Sequence, residues 1–185
     1  NGMDPRPAFV IHTGDVTEMG VDSEFERYKS DVAGAMMPIH HSPGNHETRW
    51  SDNSINRHIA QLGPTSISFL HNGVRFIGFN AAIWLEHHGA ASGDTRRWIV
   101  EQLAQDPPGT PAVLFTHQPP MYPDNVYFTG DVELFKAIRP YNVRLFLNGH
   151  GHSFKQWTAD GVLCKMTKGM MNDAGGYTLY EVRAN

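Results

Sequence analysis

Cysteine is nearly absent: Cys164 is the only one in 185 residues, so no intrachain disulfide can form and cysteine usage leaves the redox compartment open. No apolar run reaches the roughly 18 residues that a membrane-spanning helix needs, so no such span is expected. Positive charge is also scarce. Fifteen Lys and Arg against 19 Asp and Glu leave a net charge of −4, which gives no basic footprint for a nucleic-acid-binding module. Repeats, linkers and low-complexity segments are missing. The opening "NGMDPRP" is not a signal peptide and does not begin with Met, so either a leader has been removed or the chain is a piece of something longer. What is present is ordinary for a globular protein: 40% apolar and 18% charged residues, in a length that suits one domain over residues 1–185. Localisation and oligomeric state are not legible.

Histidine is abundant, with 11 in the chain, and it is both the commonest metal ligand and the usual acid or base near neutral pH. Short β-branched and aromatic runs recur at 8–12, 37–41, 66–71, 74–80, 112–116, 143–148, 154–159, 162–166 and 177–182, and are expected as strands. "HNG" (71–73) and "ADG" (159–161) separate neighbouring runs as hairpin turns. Helices are expected over 22–36, over 94–105 with Asp94 as N-cap and Pro107 beyond its end, and over 131–138 before Pro140. Helices interleaved with strands early, and hairpins late, predict a mixed α/β (α+β) protein whose C-terminal part turns antiparallel.

Four of the apolar runs end in small residues followed by a metal-type ligand: "VIHTGD", "IHHSPGNH", "VLFTH" and "LFLNGHGH". In open α/β sheets, ligands bind beyond the carboxyl ends of the strands. Asp15, Asn45, His46, His117, His150 and His152 are therefore expected to converge on one edge. Other candidates read less sharply. His40 and His41 suit strand packing. His87 and His88 suit either a substrate lid or a solvated loop, and Arg49 either a phosphate contact or a surface salt bridge. Met170 and Met171 suit packing or a loop, while Glu18 and Glu47 suit support of the ligands or solvation.

In order, "GDVTE" (14–18), "GNHE" (44–47), "THQPP" (116–120) and "GHGH" (149–152) resemble the signature of the calcineurin-like metallophosphoesterases, which include purple acid phosphatases, protein Ser/Thr phosphatases and cyclic-nucleotide phosphodiesterases. The resemblance covers nearly the whole chain. It implies a four-layer sandwich of two mixed β-sheets flanked by helices, truncated at the N-terminus, because the family's first Asp-x-His motif has no counterpart in residues 1–13. It also implies that Asp15 bridges two cations, that Asn45, His117 and His150 join it on one of them, and that His152 binds the other. His46 would stand beside the substrate as acid or electrostatic partner. The metal site served by Asp15, Asn45, His117 and His150 is complete, whereas the other keeps only Asp15 and His152. One or two divalent transition metals per chain are expected, with mixed nitrogen and oxygen ligation favouring Mn, Fe or Zn over Mg. The implied function is hydrolysis of a small phosphorylated substrate, phosphodiester or phosphomonoester, by metal-activated hydroxide. The alternative is a catalytically impaired binding or scaffold domain.

Overall fold

The computed structural model describes residues 2–50, 53–123, 128–170 and 175–183. Its frame is a six-stranded sheet in the order β3-β4-β6-β8-β10-β9, built from Ile67–His71 (β3), Val74–Gly78 (β4), Pro111–Phe115 (β6), Asn142–Asn148 (β8), Lys155–Ala159 (β9) and Val162–Met166 (β10). The four inner strands are parallel, and β3 and β9 close both edges as antiparallel hairpin partners. Antiparallel pairing is thus a property of both edges, where a tight turn forces it, and not of the C-terminal part alone. Each hairpin turns through two residues in the left-handed region, Asn72 (φ 46°) with Gly73 (φ 75°) and Asp160 (φ 45°) with Gly161 (φ 83°). That conformation matches the strand twist and explains the Asn-Gly and Asp-Gly pairs.

A second, smaller sheet pairs Val10–His12 (β1) in parallel with Ile39–His41 (β2), and Gly89–Ala90 (β5) pairs with Phe128–Thr129 (β7). The helices are Asp22–Val32 (α1), Asn45–Thr48 (α2), Ser54–Leu62 (α3), Gly93–Leu103 (α4) and Asp131–Ile138 (α5). One face of the large sheet buries Ile77, Leu114, Phe146 and Cys164 against Ile99 and Leu103 of α4 and Leu134, Phe135 and Ile138 of α5. The opposite face buries Phe76, Val113, Phe115 and Leu147 against Phe9 and Ile11 at β1. Beyond β1–β2 lies α1, whose Tyr28 hydroxyl is 2.8 Å from His41 Nε2. Helix, large sheet, small sheet and helix make four layers around two apolar interfaces.

Several expectations are corrected in detail. Helix α4 is capped by Ser92, whose Oγ accepts from Thr95 N at 3.1 Å, while Asp94 lies in the first turn beside Arg97. The first long helix stops at Val32, four residues earlier than its pattern suggested. Helix α3 was not foreseen, although Ile55, Ile59 and Leu62 carry a helical spacing. The "YTLYEV" segment forms no strand. Among the described residues its backbone has no ladder partner, and it lies against the sheet through Val182 and the Tyr180 ring, which is 5.6 Å from Lys165 Nζ.

Candidate metal centre

Strands β1, β2, β6 and β8 end at one edge, and the residues that follow them meet there. After β1, Gly14 (φ 91°) and Asp15 (φ 55°) turn the chain sharply, and after β8 His150 (φ 66°) and His152 (φ 50°) do the same. Left-handed non-glycine residues are uncommon and cluster at sites that over-determine them. Asn45 opens α2 after β2, with Gly44 as the N-cap, and His117 follows β6. The strand-end loops are tied by backbone hydrogen bonds, including Gly149 N to His117 O at 3.0 Å and Ser42 N to His12 O at 3.1 Å.

Four donor atoms converge. His117 Nε2 lies 3.0 Å from Asp15 Oδ2, 3.1 Å from Asn45 Oδ1 and 3.1 Å from His150 Nδ1, and His150 Nδ1 is 2.9 Å from Asn45 Oδ1. Asp15, His117 and His150 form the cluster of His, Cys, Asp or Glu capable of holding a metal among the described residues. His117 and Asn45 are fully buried. His117 Nδ1 donates to the Thr13 carbonyl at 2.6 Å, which places the neutral ring's lone pair on Nε2. That lone pair faces a carboxylate oxygen and an amide oxygen, a repulsion that a positive charge relieves. Without a metal a proton serves. Burial would push the Asp15 carboxyl up, but the adjoining His117 and the His46 N–H outweigh it and hold the carboxyl down at about 2. Burial opposes charge on His117, but Asp15 prevails and raises its pKa. Burial, with His117 and His87 nearby, holds His150 down at about 3, a neutral ligand at working pH.

These donors fit a cation. Donors at bonds of about 2.1 Å and right angles are separated by about 3.0 Å, which matches the observed spacings. Two imidazoles, a carboxylate and an amide oxygen suit a borderline transition metal.

The other expected residues take distinct places. His46 donates its backbone N–H to Asp15 Oδ1 at 3.0 Å, and its Nδ1 donates to the Glu18 carbonyl at 2.9 Å, leaving Nε2 for proton exchange. His152 is exposed and does not join the four-atom cluster; it lines, with Asp15, Glu18, Tyr28 and His46, a cavity of about 400 Å³. His40 stacks on Phe69 at 4.2 Å and His41 bonds Tyr28, both as strand residues. Among the described residues Arg49 makes no salt bridge: its guanidinium lies 4.1 Å over Trp50 and its Nη1 is 3.0 Å from His87 Nδ1. Met170 is exposed, and Met171 lies outside the described residues.

Of the two readings of Glu47, support of the ligands or solvation, the structure shows the first. Glu47 is fully buried rather than solvated, and its carboxylate accepts from Gly44 N (2.7 Å), Asp15 N (2.8 Å), Thr17 N (2.9 Å) and Thr17 Oγ1 (3.0 Å). It thereby joins the "GD" and "GN" loops. Burial and the Asp15 charge push its carboxyl up, and these donors oppose them. The position of Glu47 inside the GNHE motif was the available signal.

Such a donor set, at the strand ends of an α/β sandwich, marks a site that could hold a metal. The chain belongs to the calcineurin-like phosphoesterase family, whose signature matches residues 2–154. It is 28% identical over 127 residues to the probable glycerophosphodiester phosphodiesterase GpdQ of Arcobacter nitrofigilis, an alignment covering 65% of this chain and 45% of that protein. It is 26% identical over 156 residues to a 3',5'-cyclic-nucleotide phosphodiesterase of a Nostoc species, covering 80% and 57%. The chain thus spans about half the length of the curated relatives it matches. The fold is shared with a dimetal phosphatase from Danio rerio (TM-score 0.67, 17% identity, 90% of this chain and 74% of that one). It is also shared with a purple acid phosphatase from yellow lupin seeds (TM-score 0.67, 13% identity, 85% and 36%).

Proposed function

We propose that this chain hydrolyses small phosphate esters, phosphodiesters foremost, at a divalent transition-metal centre held by Asp15, Asn45, His117 and His150. The convergence of four donor atoms at about 3 Å carries this reading, and the phosphodiesterase names of the relatives support the substrate class. A cation there supplies positive charge for the phosphoryl oxygens and lowers the pKa of the attacking water. Asp15 balances that charge, and the Thr13 carbonyl keeps the Nε2 lone pair of His117 facing the centre. The attacking water would give up a proton to solvent and form the new bond to phosphorus through its oxygen while the bond to the leaving oxygen breaks, and His46 would deliver a proton to that leaving oxygen. Mn, Fe or Zn suits the ligands. A second cation would have Asp15 and His152 to hold it among the described residues, and so would bind more weakly and fill by mass action at high concentration.

The test joins metal analysis to turnover. The chain should hold one tightly bound cation, lose hydrolysis of bis(p-nitrophenyl) phosphate on chelation and regain it with Mn²⁺. Asp15→Asn keeps shape but removes the charge, so metal content should collapse while the circular dichroism spectrum persists. Full metal content in that variant would remove Asp15 from the centre. A metal-loaded protein inert towards both diesters and monoesters would establish the binding-domain alternative instead.

A further inference from the structure

An asparagine ligand has a weakness that a carboxylate lacks: turned over, it presents an NH₂ group, which cannot coordinate a cation. Asn45 meets this with a partner 42 residues away. Its Nδ2 lies 3.2 Å from His87 Nδ1, and the same His87 nitrogen lies 3.0 Å from Arg49 Nη1. A guanidinium only donates. His87 Nδ1 is therefore an acceptor, and the Asn45 atom facing it has to be the NH₂ group. The amide oxygen is then forced towards His117 and His150, 3.1 and 2.9 Å away.

His87 is itself constrained. Its ring lies 4.6 Å from the His150 ring, so it also packs against a second donor. The loop carrying it is pinned to the end of α2 by Leu85 N donating to Thr48 O at 3.3 Å, and closed on itself by Ile83 N to His88 O at 3.4 Å. Arg49, stacked over Trp50, fixes the lone pair from the other side.

We propose that His87 is a positioning residue that selects the amide rotamer of Asn45 and so sets the affinity of the metal centre. The inference rests on the metal-centre reading above. Outer partners that orient a ligand typically contribute about 10- to 100-fold in metal affinity. His87→Phe keeps a ring against His150 but removes the acceptor. His87→Asn restores an acceptor oxygen near the position of Nδ1.

The experiment is Mn²⁺ binding by calorimetry, with no substrate present and with melting temperature recorded for each protein. His87→Phe should weaken Mn²⁺ about 10- to 100-fold, and His87→Asn should recover most of that loss. The deciding measurement repeats His87→Phe in an Asn45→Asp background, where both side-chain termini are oxygens and no rotamer needs selecting. There the loss should shrink to within about threefold, a coupling that a merely structural role of His87 would not produce. An equal loss in both backgrounds, or unchanged affinity in His87→Phe, overturns the inference while leaving the centre intact. Failure of the unaltered protein to bind Mn²⁺ would overturn the metal-centre reading and this inference together.

Discussion

At the scale of single residues, the site separates groups that hold from groups that react. His46 reaches Asp15 only through its backbone N–H, so its imidazole is spared for chemistry. His46→Asn should keep metal content and lower kcat by about 10²- to 10⁴-fold, the usual worth of a positioned acid. The loss should be smaller for a nitrophenyl ester, whose leaving group needs little protonation, than for an alkyl ester. Equal losses on the two would remove the acid role. Glu47 behaves oppositely, since it faces donors and no cavity. Glu47→Gln turns an NH₂ group towards backbone N–H donors in a fully buried place. It should cost about 2–4 kcal/mol and lower the melting temperature on the order of 10 °C. An unchanged melting temperature would show that the loops hold together without it.

At the scale of elements, two loops touch through glycine because nothing larger fits. A Cβ on Gly44 would run into the Asp15 backbone nitrogen and carboxylate, and one on Gly14 would stand 2.7 Å from Gly44 N. Gly44→Ala should therefore cost about 1–3 kcal/mol by overpacking and weaken Mn²⁺ at least tenfold, because the clash falls on a donor. Gly73 provides the control. Its Cβ would meet nothing within 4 Å, but its φ of 75° is strained for alanine. Gly73→Ala should destabilise by roughly 1–2 kcal/mol and leave Mn²⁺ affinity unaltered. Similar affinity losses in both variants would mean that Gly44 acts through general stability.

At the scale of the whole molecule, buried histidines make the fold acid-sensitive. Burial first, and then His41, hold the His58 imidazole at about 4 against an ordinary 6.5, with Phe25 packed on its ring and no hydrogen-bond partner on either nitrogen among the described residues. Burial likewise holds His12 and His41 at about 4. The unfolded chain takes up protons near pH 6.5 that the folded chain refuses until near pH 4. Stability is thus present above pH 6.5 and lost as pH falls through that window. The melting temperature of metal-free protein should drop steadily from pH 7 to pH 5, and His58→Leu should flatten the slope. A variant as pH-sensitive as its parent would exclude His58.

Much of this was legible along the chain because it is encoded in short windows. Strand runs, Asn-Gly and Asp-Gly turns, and the ligand types after β1, β2, β6 and β8 each depend on a few neighbouring residues, and strands that end at a common edge bring such ligands together. What only the tertiary structure decided depends on contacts across long separations. The lone pair on His117 is set by Thr13, 104 residues away, and the rotamer of Asn45 by His87, 42 residues away. For Glu47 the local sequence left ligand support and solvation both open, and folding decided between them by enclosing the carboxylate among donors from two loops. "YTLYEV" has strand composition, but a strand also needs a partner to complete its ladder, and composition does not supply one.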